Sequence, residues 1–145
     1  MEYKINAKDL GISTKISVEV CSWIRSKPIK KAQKMLERVM EKKQAVPYKR
    51  YKKEIPHRAG KMATGRYPIK VSQTILKLLK GGLAGAQNKG LSENLIISHI
   101  SAHKAGNQWH YGRLKRRRMK KTHINIILKE EEKKNDRKTN NKQKN

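Results

Sequence analysis

The chain has 145 residues, of which 37 are lysine or arginine and only 11 are aspartate or glutamate, so its formal net charge is +26. A body with this charge repels itself and attracts polyanions, which argues against an ordinary charge-balanced domain and makes nucleic acid or an anionic membrane the expected partner. No apolar run approaches the ~20 residues of a membrane-spanning helix, and the N-terminus lacks the apolar segment of a signal peptide, so nucleic acid is the leading candidate.

The start of the chain predicts a strand, followed by an element that fits either secondary structure. Apolar and polar residues alternate within residues 1–12, which is typical of a strand. Residues 13–25 also alternate, but they place several apolar residues on one helical face: Ile12, Ile16, Val20, Trp23 and Ile24. The pattern narrowly favours a helix, with Ser13 as its N-cap.

Two further amphipathic helices are predicted. Residues 28–43 repeat apolar side chains at helical spacing and begin at Pro28, which suits the first turn of a helix. Residues 69–80 show the same spacing. This helix could continue past two consecutive glycines to Asn88, with Gly90 as its C-cap.

The segment between these helices, residues 46–67, reads as a loop because prolines and glycines punctuate it. Cations and tyrosines are interleaved along it: Tyr48, Lys49, Arg50, Tyr51, Lys52, Lys53, His57, Arg58, Lys61, Arg66 and Tyr67. Cations pair with phosphates and rings stack on bases, so this composition suits a segment that RNA orders.

The last third of the chain predicts a basic β-hairpin over residues 95–128. Strand-like runs occupy 95–100 and 124–128, and no acidic residue occurs from Asn94 to Lys129. Between the runs, seven cations crowd nine positions: Arg113, Lys115, Arg116, Arg117, Arg118, Lys120 and Lys121. Phosphates would neutralise this hairpin, and counterion release would help to drive the contact. The segment after it, 129–145, has no apolar residue and is expected to be a disordered, charged tail.

Catalysis and metal binding find little support in the sequence. His99 and His103 are four residues apart, which would suit a metal on a helix, but their segment predicts a strand and the only cysteine, Cys21, is remote. The acidic residues form no plausible acid–base pair, and the glycines near position 82 lack the lysine and hydroxyl of a phosphate loop. We expect no enzymatic activity, no cofactor and no metal site.

Several motifs, taken in order, resemble one known family. They are Ile12-Ser13-Thr14-Lys15, Trp23-Ile24-Arg25-Ser26-Lys27, Ala45-Val46-Pro47-Tyr48, Pro56-His57-Arg58, Gly65-Arg66-Tyr67-Pro68-Ile69-Lys70, Asn88-Lys89-Gly90-Leu91 and the stretch from Gly112-Arg113 to Ile124. Together they are similar to the universal large-subunit ribosomal protein twenty-two family, in its archaeal and eukaryotic form (called seventeen in eukaryotic naming). The resemblance covers roughly residues 8–128.

The resemblance implies an α+β fold in which three helices pack on a small three-stranded antiparallel sheet with an extended basic β-hairpin. Residues 13–25 are then a helix, and residues 1–128 form a single domain. The implied function is that of a structural constituent of the large ribosomal subunit in the cytoplasm, with the hairpin along the peptide exit tunnel. The implied partners are large-subunit ribosomal RNA, neighbouring ribosomal proteins and the nascent peptide near the hairpin tip, with no membrane and no homo-oligomer expected.

The residues expected to bind RNA come from the body, the loop and the hairpin. In the body and the loop they are Arg25, Lys27, His57, Arg58, Lys61, Arg66, Tyr67, Lys70 and Asn88. Along the hairpin they are Lys104, Trp109, His110, Tyr111, Arg113, Lys115, Arg116, Arg117, Arg118, Lys120, Lys121 and His123.

The chain also departs from the family pattern. Ser26 and Thr14 stand in place of the usual glycine and proline, and Gly85 stands where asparagine is usual. The segment 102–112 is several residues shorter than the family pattern. At ~3.3 Å per residue, losing about two to three residues in each arm shortens the hairpin by roughly 7–10 Å. We therefore predict a blunter tip that carries Trp109 and its two aromatic neighbours.

Two other classes of protein would also carry this charge. A basic, chromatin-type DNA-binding protein explains the charge equally well, but it explains neither the loop containing Gly65-Arg66-Tyr67-Pro68 nor the basic hairpin. A metal-dependent RNA-processing enzyme would require zinc at His99 and His103. Sedimentation with large subunits rather than with DNA separates the ribosomal from the chromatin class, and a zinc assay tests the enzyme.

Overall fold

The computed structural model describes residues 2–59 and 62–130. Its elements in chain order are β1 (Glu2–Leu10), α1 (Thr14–Ile24), α2 (Ile29–Met40), β2 (Val46–Pro47), β3 (Gly65–Arg66), α3 (Ile69–Asn88), β4 (Leu95–Lys104) and β5 (Thr122–Glu130), with a short 3₁₀ turn at Gly112–Leu114. Within this part of the chain, no helix is both long enough and apolar enough to cross a bilayer.

Strands β1, β5 and β4 form an antiparallel sheet in that order, so β5 lies at its centre. Every second residue of β5 from Thr122 to Leu128 is buried, which directs one face of the sheet towards the helices. The three helices and this sheet confirm the α+β fold. A second sheet, in which Val46 pairs with Arg66, lies within the segment that we expected to be a loop.

Residues 14–24 are helical, which settles the ambiguous element. Val20 and Ile24 are fully buried in the core, and α1 packs chiefly against β4. Ser13 occupies the N-cap position, but its side chain makes no capping hydrogen bond. Its carbonyl instead accepts a hydrogen bond from the Ser17 hydroxyl at 2.9 Å.

Helix α3 continues without a break through its glycines to Asn88, which confirms the prediction that it extends beyond residue 80. A β-carbon at position 85 would overlap the ring and hydroxyl of Tyr3 on β1, so any larger residue there would require the Tyr3 ring to move. An asparagine, the usual family residue, would meet the same obstacle. The turn after the helix is formed by Gly90, whose φ of +78° allows the N–H of Leu91 to reach the Ala86 carbonyl at 3.1 Å.

The α1–α2 joint is built on a serine in the left-handed conformation. Ser26 has a φ of +58°, and its N–H donates to the Ile97 carbonyl at 2.9 Å while the N–H of Ile97 donates to Lys27 at 3.0 Å. This reciprocal pair fixes both helices to β4. A glycine, as in the family pattern, would adopt this φ without the steric cost that a β-carbon brings.

Both hairpin strands are longer than the sequence predicted. Strand β4 continues to Lys104, and β5 extends in both directions, from Thr122 to Glu130. Strand β5 therefore ends two residues beyond 128, because Lys129 still pairs with Glu2 and Ile96 across the sheet. The division of the chain at 128 into a domain and a tail stays a prediction. The rest of the expected tail, 131–145, lies outside the described residues.

Candidate nucleic-acid interface

The hairpin arms stay together well beyond the regular ladder, which ends where Lys104 pairs with Thr122. Three further backbone hydrogen bonds join them: from Ala105 N–H to the Lys121 carbonyl at 3.2 Å, from Met119 N–H to Gln108 at 2.7 Å and from His110 N–H to Arg117 at 2.9 Å. We call residues 109–118 the hairpin tip. Whether the tip is blunter than in other family members stays a prediction.

The hairpin tip combines exposed rings with exposed cations. Trp109 is 55% exposed and Tyr111 is 87% exposed. The guanidinium carbon of Arg118 lies 4.4 Å from the centre of the Trp109 ring, which is a cation–π contact across the two arms. Exposed aromatic rings of this kind provide stacking faces for bases.

Beyond that pair, the tip turns sharply around a shallow basic recess of about 750 Å³. Its lining consists of Gly112, Arg113, Lys115, Arg116 and Arg117. All five residues are exposed, and none of the four cations forms an ion pair with a carboxylate among the described residues. Such a concentration of unpaired charge is not a source of fold stability, and its chemistry suits an anionic ligand.

Within the segment 46–67, residues 49–51 are held against α1 by a buried carboxylate. Glu19 of α1 is only 3% exposed. Its carboxylate accepts backbone N–H groups from Lys49 and Arg50 at 2.9 Å each and from Tyr51 at 2.6 Å. Three such bonds stabilise a buried charge. The only sequence signal was an acidic residue between two valines of an apolar helix.

Aromatic and basic side chains are stacked along the same segment. Lys15 and Arg50 lie 5.9 Å and 5.3 Å from the centre of the Tyr51 ring, and Arg58 lies 5.6 Å from that of Tyr67. Arg66 is partly committed to structure, since its guanidinium donates to the Pro56 carbonyl at 3.0 Å. We call residues 48–67 the loop surface; within it, Lys61 lies outside the described residues.

Five of the predicted RNA-binding residues meet in one cleft of about 630 Å³. They are Lys70, His110, Arg118, Lys120 and Lys121. The cleft lies between the basic arm of the hairpin and the first turns of α1 and α3. The sequence predicted each of these residues to bind RNA, but no local pattern indicated that Lys70 lies beside the hairpin.

The remaining predicted residues are dispersed. Asn88 and Lys104 are exposed at the ends of α3 and β4. Arg25 donates to the Ile100 carbonyl at 3.0 Å, and the His123 Nδ1 atom accepts the Asp9 N–H at 3.1 Å. Arg25 and His123 therefore have structural contacts within the sheet region. His57 forms a β-bridge with Thr64 in the loop surface.

The sequence reasoning missed a basic groove along α2, which we call the α2 groove. It measures about 510 Å³, and its cations are Lys27, Lys30, Lys31, Lys34 and Arg38. Lys30 pairs with Glu93 at 2.9 Å, whereas no carboxylate of the described residues pairs with the other four. Positions 31, 34 and 38 follow helical spacing along α2 and could have been recognised as one face, with Lys27 just before the helix.

The titratable groups give no sign of catalysis. Burial raises the pKa of the Cys21 thiol to about 12, which makes it an inert core residue. Burial, together with the nearby Glu19 carboxylate, raises the pKa of Tyr48. Among residues 2–59 and 62–130, no three histidine, cysteine or acidic side chains are grouped so as to hold a metal ion. His99 and His103 lie on strand β4, not on a helix.

The fold and its surfaces define a small α+β protein whose exposed cations are spread over several surfaces, with no enzymatic centre among the described residues. Residues 5–129 match the family described as Ribosomal protein L22p/L17e, and the chain belongs to this family of structural, non-catalytic proteins.

Relatives with known names support the same family. The chain is 48% identical over 99 residues to the large ribosomal subunit protein uL22 of Archaeoglobus fulgidus, covering 66% of this chain and 64% of that protein. It is 41% identical over 137 residues to the protein of the same name from Nanoarchaeum equitans, covering 88% and 78%. A third, from Methanopyrus kandleri, is 38% identical over 132 residues, covering 85% and 83%. The archaeal type suggested by the motifs is thereby confirmed.

Proposed function

We propose that this protein is a structural component of the large ribosomal subunit in the cytoplasm and that it binds ribosomal RNA through the hairpin tip, the loop surface and the α2 groove. The observation that carries the proposal is the hairpin itself. The two-stranded arm ends in exposed, unpaired cations, and no acidic residue occurs from Asn94 to Lys129. Such an arm buries little of its own surface and becomes favourable when phosphates surround it.

RNA is preferred to DNA as the partner because of how the basic residues are presented. The exposed Trp109 and Tyr111 rings suit unstacked bases, which RNA loops offer and a DNA duplex does not. The described helices carry their cations along an exposed face, as in the α2 groove, without the base-reading side chains of a recognition helix. The family membership points to the same partner.

The test is a charge-matched comparison of two triple variants. One neutralises Arg116, Arg117 and Arg118 with alanine. The control neutralises Lys4, Lys8 and Lys77, which are exposed and lie outside the three basic surfaces. Both sets lie outside the core, so both proteins should unfold at the parent denaturant concentration.

Binding to transcribed large-subunit RNA is then measured against salt concentration, alongside incorporation into subunits in high-magnesium gradients. The arginine triple should make the negative slope of log affinity against log salt shallower by about 2 to 3 and should reduce incorporation. The control should keep the parent slope. Equal behaviour of the two triples, or cosedimentation with DNA instead of large subunits, would refute the proposal.

We further propose that the hairpin lies along the peptide exit tunnel, with its tip near the nascent peptide. The exposed Tyr111 at the hairpin tip supports this, together with the family resemblance. A photo-crosslinking residue at position 111 should capture nascent chains on stalled ribosomes, whereas the same residue at Lys77 on the body should not. If the residue at position 111 forms crosslinks to RNA but none to nascent chains, the hairpin tip does not lie near the nascent peptide and the proposal is wrong.

A further inference from the structure

The cleft between the hairpin and the helices has an unusual lining for a purely electrostatic site. Ile12, Ile16, Ile69 and Met119 contribute apolar surface to it. Ile69 is 40% exposed, one of three large hydrophobic side chains left in water among the described residues. A phosphate alone gains no free energy from contact with an apolar surface, so the lining suits a ligand that also has an apolar part.

Cations complete the lining. Lys70, Arg118, Lys120 and Lys121 all contribute to it, and among the described residues no acidic side chain does. Lys121 makes a long contact of 3.4 Å with the Asp9 carbonyl, and the other two lysines have no carboxylate partner within the same residues. The ligand therefore carries negative charge beside its apolar part.

The two helices that begin at the cleft reinforce this preference. Neither Ser13 nor Pro68, at the N-cap positions of α1 and α3, makes a side-chain capping hydrogen bond, and neither helix has an acidic residue in its first turn. The positive ends of both helix dipoles are thus left uncompensated. This feature adds to the cationic lining but would not define a site without it.

We propose that the cleft receives one unstacked nucleotide of RNA, with its base against Ile16, Ile69 and Met119 and its phosphate on Lys70, Lys120 and Lys121. The volume of about 630 Å³ falls within the range of small-molecule sites. An apolar peptide would leave the cations unused, and a duplex backbone would leave the apolar surface unused. This inference rests on the proposed function, because it specifies how the protein holds RNA at one point.

The test uses two small probes and the full-length chain. Adenosine 5′-monophosphate carries a base and a phosphate, whereas ribose 5-phosphate carries the same sugar and phosphate without the base. Amide chemical shifts of Gly11, Ser13 and Lys70 are followed during titration with each probe. Adenosine monophosphate should bind about tenfold more tightly, since burying roughly 60 Å² of its base against aliphatic side chains corresponds to about that factor.

Three variants separate the apolar from the electrostatic contribution. Ile69→Ser should reduce the affinity for adenosine monophosphate towards that for ribose 5-phosphate and leave the latter unchanged. Lys70→Gln should weaken both probes, whereas Lys77→Gln, two turns further along the exposed face of α3, should weaken neither. Met119→Ser repeats the apolar test on the hairpin side if the first variant is unstable.

Equal affinity for the two probes, or no effect of either apolar variant, would overturn the proposal and leave only general charge attraction. Tighter binding of an acidic, leucine-rich peptide than of the nucleotide would also overturn it in favour of a protein partner. Incorporation into large subunits is measured separately. A parent chain that enters subunits but does not distinguish the probes refutes the nucleotide site and leaves the proposed function standing.

Discussion

The buried Glu19 carboxylate is expected to set the position of the loop surface, and replacing it with glutamine isolates that role. Its Oε1 atom accepts N–H groups from Arg50 and Tyr51, and Oε2 accepts one from Lys49. In glutamine, the remaining oxygen can keep two of these bonds. The amide nitrogen then faces the Lys49 N–H, donor against donor.

The magnitude follows from that loss. One charge-assisted bond contributes about 1.5–3 kcal/mol, so opening of the segment around Lys49 becomes easier by roughly 2–3 kcal/mol. This corresponds to about 30- to 150-fold faster hydrogen exchange at the amides of Lys49, Arg50 and Tyr51. The helices keep their own hydrogen bonds, so the change in the global free energy of unfolding should not exceed that of the segment.

The measurement is amide hydrogen exchange by NMR, combined with urea unfolding. Glu37→Gln is the matched control, because Glu37 is half-buried on α2 and its only ion pair among the described residues, with Lys80, is long at 3.7 Å. This variant should change the free energy of unfolding by less than about 0.5 kcal/mol. It should not change the hydrogen-exchange rates of the three amides. Unchanged exchange in Glu19→Gln, or the same change in both variants, would refute the assigned role.

Three further variants test the packing of the body. Gly81→Ala adds a methyl group in open space and should stabilise the protein by about 1 kcal/mol. Gly85→Ala displaces the Tyr3 ring and should destabilise it by about 1–3 kcal/mol. Thermal unfolding would contradict this if Gly85→Ala melted at a higher temperature than Gly81→Ala. Ser26→Gly relieves the positive φ and should stabilise by up to about 1 kcal/mol, and a loss of stability would show that the serine is not strained. The thiol of Cys21, with its pKa raised to about 12 from 9.0, should be unreactive in the folded state. Below pH 9 the raised pKa has no effect on stability, but between pH 9 and 12 only the unfolded thiol ionises. Stability should therefore fall by about 1.4 kcal/mol per pH unit more than in Cys21→Ala; matching pH profiles of the two proteins would contradict this.

Much of the fold could be predicted because its signals are local. Apolar spacing located α2 and α3, alternation and the absence of acidic residues located the hairpin, and Gly90 marked the end of α3. The α1 segment could not be settled in this way, because its apolar residues satisfy both periods. Packing against β4 makes this segment a helix. The contacts involved join residues far apart in the chain, such as Arg25 and Ile100, which are 75 positions apart.

By itself, the sequence determined the charge, the order of the elements, the family resemblance and the identity of most exposed cations. Only the tertiary structure decided that Glu19 holds the loop surface, that Gly85 makes room for Tyr3 and that Ile69 and Lys70 meet the hairpin in one cleft. The reason is physical. Periodicity and composition are properties of neighbouring residues, whereas a buried carboxylate or a cleft depends on which distant backbone atoms the packed core brings within a few ångströms.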